Sequence, residues 1–228
     1  TIGAVIGPLV AVALMWWLAN DIRAVLWWAV VPGIFAVLLL IRLPEPEHAR
    51  KPARMPLTRQ GLARLGPSFF KLTLLGACIS LARFSEAFLV LRAVDMGLTA
   101  TFAPMVLVVM SVVYSLTAYP AGQLSDRIPR QGLLGLGLAV LLTADVLIAL
   151  SNTLVGTFVG IALWGLHMGF TQGILATMIV DVAPAEYRGT AFGVFNLASG
   201  LALLAASVLA GLLWDWQGPA WTFWMGAG

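Results

Sequence analysis

What most constrains this chain is the spacing of its apolar runs. The stretches 2–18, 24–41, 68–91, 101–119, 132–150, 153–180 and 190–214 are nearly free of charge, and an eighth begins at 219. A helix needs about 20 apolar residues to cross the hydrocarbon of a bilayer. Backbone in lipid must also satisfy its own hydrogen bonds, which a helix does internally. The expected fold class is therefore all-α, a polytopic transmembrane helix bundle whose surroundings are the lipid bilayer. Only 10% of the residues are charged and 61% are hydrophobic, with a mean hydropathy of +0.96. A soluble domain carries about 25% charged residues, so that class is excluded.

Between residues 42 and 67 the composition changes. Pro44, Pro46, Pro52 and Pro56 break helices, while Arg42, Arg50, Lys51, Arg54, Arg59 and Arg64 add charge. We expect two helices in 1–41, a basic linker over 42–67 with a short amphipathic helix around 57–65, and a bundle over 68–228 whose last helix is incomplete. The alternate loops 42–67, 120–131 and 181–189 hold nine Lys or Arg, whereas 20–23, 92–99, 151–152 and 215–218 hold only Arg23 and Arg92. The positive-inside rule places the first set in the cytoplasm. Tryptophan agrees: Trp16, Trp17, Trp27 and Trp28 flank one outer loop, and Trp214, Trp216, Trp221 and Trp224 another, as in an interfacial belt. Only Trp164 lies at mid-membrane depth. The net charge of +3 sits in loops and does not indicate nucleic acid.

The polar island 122–130 reads Gly122-Gln-Leu-Ser-Asp126-Arg127-Ile-Pro-Arg130 between two spans. Its charges can complement helix ends. The order also resembles the signature loop of the major facilitator superfamily of secondary transporters, with Pro129 where that family usually has Gly and Gln131 where a further basic residue is common. Arg188-Gly-Thr-Ala-Phe-Gly similarly resembles the family's loop before its eleventh helix. In the first span, Gly3-x-x-x-Gly7-Pro8 lets helices approach closely and resembles the end of the antiporter motif, a candidate packing hinge. The resemblance covers essentially the whole chain and implies the family's fifth to twelfth helices: the last two of the first half, the central linker, and the second six-helix half. The chain opens and closes inside apolar runs, so a piece of a longer protein is expected. The family's missing N-terminal helices would then complete the cavity wall.

An ionisable group in hydrocarbon costs a few kcal/mol at least, so each must be paired, wet or functional. Arg83 and Glu86 stand three apart in the third span and so on one helix face. They are either a neutralising salt bridge or a substrate- or proton-binding pair, and the resemblance favours the second because the seventh helix lines the family's cavity. His167 shares a face with Trp164 and Thr171, and Gln172 and Asn196 are weaker polar candidates. The resemblance places the span of Asp145 away from the cavity, which makes that residue interfacial or paired with an outer-loop cation. Gly156, Gly160, Gly165, Gly169 and Gly173 recur every four or five residues and predict a single small-residue face. Asp181, Glu186 and Arg188, with Gly122, Asp126, Arg127 and Arg130, compose a candidate cytoplasmic gate network that exists in one state of the cycle.

No phosphate-binding loop, His-Glu-x-x-His or Gly-x-Ser-x-Gly occurs, so the sequence offers no enzyme signature. Two histidines and the single Cys78 form no metal constellation, and no cofactor is expected. The resemblance implies a transporter moving a small organic solute by alternating access. Proton-coupled efflux or antiport across a bacterial inner membrane is the expected form, with protons as coupling ion. The alternative is a non-transporting protein of the same fold acting as receptor or assembly partner.

Overall fold

Helix boundaries fall where the sequence supplies polar caps, glycine or proline. The structure, a computed structural model, describes residues 2–43 and 59–228. The side chain of Asp21 accepts from the N–H groups of Arg23 and Ala24 at 2.9 and 3.2 Å and so opens α2 (Ile22–Arg42) after α1 (Ile2–Trp17). Such caps satisfy the orphan donors of a first turn. After α3 (Arg59–Ala63), Gly66 takes a φ of 75° and Pro67 stands in the first turn of α4 (Gly66–Ala82), where a missing N–H costs nothing. The chain continues through α5 (Ala87–Asp95), α6 (Met105–Ser125), α7 (Arg130–Leu150), α8 (Leu154–Val182), α9 (Arg188–Gln217) and α10 (Pro219–Ala227). No strand occurs among the described residues, and six stretches are long and apolar enough to cross a membrane.

The third span is not the continuous helix that 68–91 predicts. Helix α4 stops at Ala82, Arg83 is extended at φ −105° and ψ 116°, and α5 resumes at Ala87. Tertiary contacts compensate the lost turn. Phe84 is buried against Trp164, Phe223 and Phe88 with ring centroids 5.4 to 5.7 Å apart. The freed N–H of Ser85 donates to the hydroxyl of Ser207 on α9 at 3.1 Å. Non-helical backbone at membrane depth is tolerated where protein satisfies it.

Helix α8 is the centre of the bundle, packed along α6 on one side and α7 on the other. Its glycines accordingly do not form the single face that their spacing predicts. Gly165 and Gly169 lie against Met110 and Thr117 of α6, whereas Gly160 lies against Ile148 of α7. A helix sandwiched between two neighbours needs small residues on both sides. Around this layer α4 packs on α9, and α10 closes against α7 and α9. Helix α1 packs on α6, and Thr101, in the short turn before α6, donates to the side chain of Asn20, in the turn after α1, at 2.7 Å; α2 has no buried residue.

Three apolar clusters form among the described residues, and two of them hold most of the buried side chains. The larger joins Phe84, Leu89, Met110, Leu141, Trp164 and Phe223, with Trp214 and Met225 at its rim. The smaller, at the end carrying Arg130 and Asp181, joins Leu65, Phe69, Leu72, Ile179, Ala183 and Ala191. The helix expected around 57–65 is α3, which ends at Ala63, and Leu65 in the turn after it enters that smaller core; the linker positions 44–58 lie outside the described residues. Arg92, expected in a loop, instead ends α5 with a buried side chain that donates to Asp95 at 2.7 Å and to the Ser151 carbonyl at 2.9 Å.

Candidate functional site

Four elements converge on one indole. Trp164 projects from α8 and is completely buried. Its Nε1–H donates to Oδ1 of Asp145, on α7, at 2.8 Å. The guanidinium of Arg83, delivered by the break between α4 and α5, lies over the ring at 5.8 Å from its centroid, within range of a cation–π attraction. The His167 ring stands 6.4 Å away, one turn further along α8. Phe84 packs on the same indole from the break, and Phe223 of α10 backs Phe84 in turn.

Each polar neighbour of the indole has an atom to spare. Arg83 Nε, Asp145 Oδ2 and His167 Nε2 are buried without a hydrogen-bond partner among the described residues. Buried polar atoms are nearly always satisfied, so an orphan requires an explanation. His167 Nδ1 lies 2.7 Å from the Gly137 carbonyl; a carbonyl only accepts, so Nδ1 carries the hydrogen and Nε2 of the neutral ring is a free acceptor. Three orphans of complementary type (donor, acceptor and carboxyl) thus border one aromatic side chain.

Arg83 and Glu86 meet at 3.7 Å, but not along a helix face. Arg83 caps the end of α4 and Glu86 the start of α5, so the pair bridges the break. Glu86 is the more exposed partner, with 37% of its side chain accessible against 20% for Arg83. Asp145 departs from its expected interfacial position: it is 0% exposed and faces inward, because the indole N–H needs an acceptor and α7 turns that carboxyl toward α8. Thr171 spends its hydroxyl on the His167 carbonyl of its own helix at 2.9 Å and does not join the group. Gln172 is half-buried on α8 and Asn196 exposed on α9. Neither is hydrogen-bonded to the indole's neighbours.

At the opposite end of the bundle, Arg130 opens α7 and forms an ion pair with Asp181 in the last turn of α8. The other residues of the anticipated gate network do not meet in this arrangement. Gly122 lies in the last turn of α6, where its carbonyl accepts from Ser125 at 2.7 Å, and Asp126 caps that helix. Arg127, Glu186 and Arg188 are exposed, while Arg64 donates to the Tyr187 hydroxyl at 3.3 Å. On α1, Gly3 has open space around it, and Gly7 and Pro8 line a shallow apolar groove with Val90, Ala103, Pro104 and Leu107.

Sequence reasoning did not place Asp145, Phe84 or Ser207 at the site. The available signal was chemical: an indole N–H and a carboxyl in adjacent apolar spans, each needing a partner.

Comparison with known proteins is consistent with this architecture. The Major Facilitator Superfamily profile matches residues 72–228. An uncharacterized MFS-type transporter of Methanocaldococcus jannaschii is 26% identical over 234 residues, covering 100% of this chain and 58% of that protein. An uncharacterized protein of Mycobacterium tuberculosis is 27% identical, over 94% of this chain and 54% of its own length. The inner membrane transport protein YajR of Escherichia coli is 32% identical over 106 residues, 46% of this chain and 23% of that protein. No solved structure matches significantly. The chain spans 54 to 58% of the length of the first two relatives.

Proposed function

The chain belongs to the major facilitator superfamily, and on that premise we propose that the full-length protein moves a small organic solute by alternating access, coupled to protons in efflux or antiport. It is a multi-pass membrane transporter, not an enzyme. The observation that carries the finer reading is the interior group around Trp164, where Arg83 and His167 each keep an unused polar atom at a break in a spanning helix. An indole, a guanidinium and apolar walls suit an amphipathic solute with one aromatic or anionic part. The partly accessible Arg83–Glu86 pair is the contact that solute or proton would compete for.

In this reading residues 1–41 belong to the N-terminal bundle, 42–67 link the halves in the cytoplasm, and 68–228 form the C-terminal bundle. The membrane is the bacterial plasma membrane. The Arg130–Asp181 pair is then a latch on the cytoplasmic side. Exposed ion pairs are weak, yet one that exists in a single conformation biases a balanced two-state equilibrium.

The test is flux by the full-length protein in proteoliposomes, screened over amphipathic organic compounds with and without an imposed pH gradient. Gradient-driven accumulation of at least one compound is expected. Binding without flux under either condition would favour a receptor of the same fold.

A further inference from the structure

Asp145 has no task in the solute contact proposed above, yet it is the most enclosed carboxyl among the described residues. It is fully buried on α7, and Trp164 Nε1–H is its one hydrogen-bond donor, to Oδ1. Its Oδ2 has no partner. That oxygen faces α10 at Gly226: a side-chain carbon there would come within 2.5 Å of Oδ2 and 2.9 Å of the Phe84 ring. A glycine thus lets the α10 backbone close directly over Oδ2, and an aromatic ring from the helix break borders the same contact.

The charged surroundings are sparse. Helix α10 carries no Asp, Glu, Lys, Arg or His, and α6 none before its C-terminal cap. On α7 the only other charge is Arg130 at the far end, already paired with Asp181. From α5, Arg92 is held by Asp95 and the Ser151 carbonyl. Lys71 of α4 is exposed toward the opposite end, and Arg188 and Asp215 sit at the ends of α9. Across the indole are His167, with Nδ1 engaged by Gly137, and Arg83, which also faces Glu86. No cation among the described residues forms an ion pair with Asp145. An ionised carboxyl enclosed without a partner is disfavoured against the same group carrying a proton.

We propose that Asp145 is a proton-binding site, opened at Oδ2 by movement of the Phe84 break against Gly226 and coupled to Arg83 through the Trp164 indole that both touch. The proton adds to Oδ2 from water and returns there. The indole donates to Oδ1 in both forms, more strongly to the carboxylate. Without its proton, Asp145 attracts the Arg83 guanidinium that lies over the face of the same indole, in competition with Glu86, and Arg83 is then less able to hold a solute. Proton binding at Asp145 and solute binding at the Arg83 site therefore favour each other, a linkage of the cotransport kind that sets the direction of coupling against the antiport form. The role in transport rests on the proton-coupled reading above; the site itself is testable without transport.

Infrared difference spectra of the purified full-length protein across pH detect the C=O stretch of a protonated carboxyl. We expect one such band to titrate in the wild type, to vanish in Asp145→Asn, to persist in Glu86→Gln, and to move in frequency and midpoint in Trp164→Phe, which keeps the ring bulk and loses the donor. In proteoliposomes Asp145→Asn should lose pH-gradient-driven accumulation and keep counterflow. A titrating band unchanged in both Asp145→Asn and Trp164→Phe overturns the site, as does wild-type gradient-driven flux by Asp145→Asn. If Asp145→Asn does not fold, an unshifted band in Trp164→Phe overturns it alone. A band that behaves as expected in a protein whose flux ignores the pH gradient supports the proton site and overturns the coupled reading.

Discussion

The N–H of Ser85 donates to the hydroxyl of Ser207 at 3.1 Å, tying the interrupted third span to α9. Without that acceptor the amide would be stranded in a part-buried position, since the helix that would have satisfied it ends at Ala82. Removing one partner of a buried hydrogen bond costs about 1–3 kcal/mol, and such bonds in membrane bundles lie near the lower end, about 1 kcal/mol. Ser207→Ala should therefore lower unfolding stability by about 1 kcal/mol and speed hydrogen exchange at Ser85, with Ser207→Thr close to wild type. Unchanged exchange at Ser85 would show that the break does not depend on this bond.

Much of the architecture was legible because lipid imposes one rule on every span: a run of about 20 apolar residues must be a helix. The break at Arg83–Ser85 was not legible, because no proline or glycine marks it; besides the nearby Phe88, Phe84 is held by rings from α8 and α10, which are remote in sequence. Asp145 was misplaced for a related reason. When a helix is apolar all round, its periodicity does not reveal which side faces its neighbours, so the rotation of α7 is set by packing and by the Trp164 hydrogen bond. The Arg83–Glu86 proximity could be anticipated from spacing, but for the wrong local geometry.

The glycines of α8 give a graded test of packing. A side-chain carbon at Gly165 would run into the backbone carbonyl of Met110, which a rotamer change cannot relieve, while Gly173 has open space. Overpacking of this kind costs about 1–3 kcal/mol. Gly165→Ala should lose that much in a thermal or denaturant unfolding assay, and Gly173→Ala almost nothing. Equal effects at the two positions would contradict the α6–α8 contact.

The orientation is checked by single-cysteine labelling in intact cells, in a background lacking Cys78. Ser125, in the last turn of α6, should label only from the cytoplasm. For the other side, Gly218 is unsuitable because its φ is 101°; the neighbouring exposed Gln217 should label only from outside. Labelling of position 125 from outside would invert the proposed topology.

The Arg130–Asp181 pair separates a latch from a structural tie. An exposed pair contributes only about 0.2–1 kcal/mol to stability, so Asp181→Asn should leave the folded yield nearly unchanged while flux falls severalfold. The charge-reversed pair Arg130→Asp with Asp181→Arg should recover part of that flux. Asp126→Asn, at the α6 cap, should also lower flux more than expression. Parallel losses of folded protein and flux would assign these residues to stability alone.

The last expectation concerns the pair across the helix break. Arg83 and Glu86 are 3.7 Å apart, longer than a tight ion pair, and Arg83 divides its charge between Glu86 and the Trp164 face. A pair so loosely held is one a solute or proton can separate. Glu86→Gln should abolish gradient-driven flux and preserve solute binding and counterflow. Arg83→Ala should lose solute affinity as well, because it strips the indole of its cation. Replacing both by apolar residues distinguishes a merely structural bridge, since exchanging both partners of a buried ion pair is often neutral for stability. We expect the double variant to fold and bind poorly to solute, with no accumulation under a pH gradient. Wild-type accumulation by that variant would remove Arg83 and Glu86 from the transport cycle and leave His167, through its free Nε2, as the polar contact at the Trp164 surface.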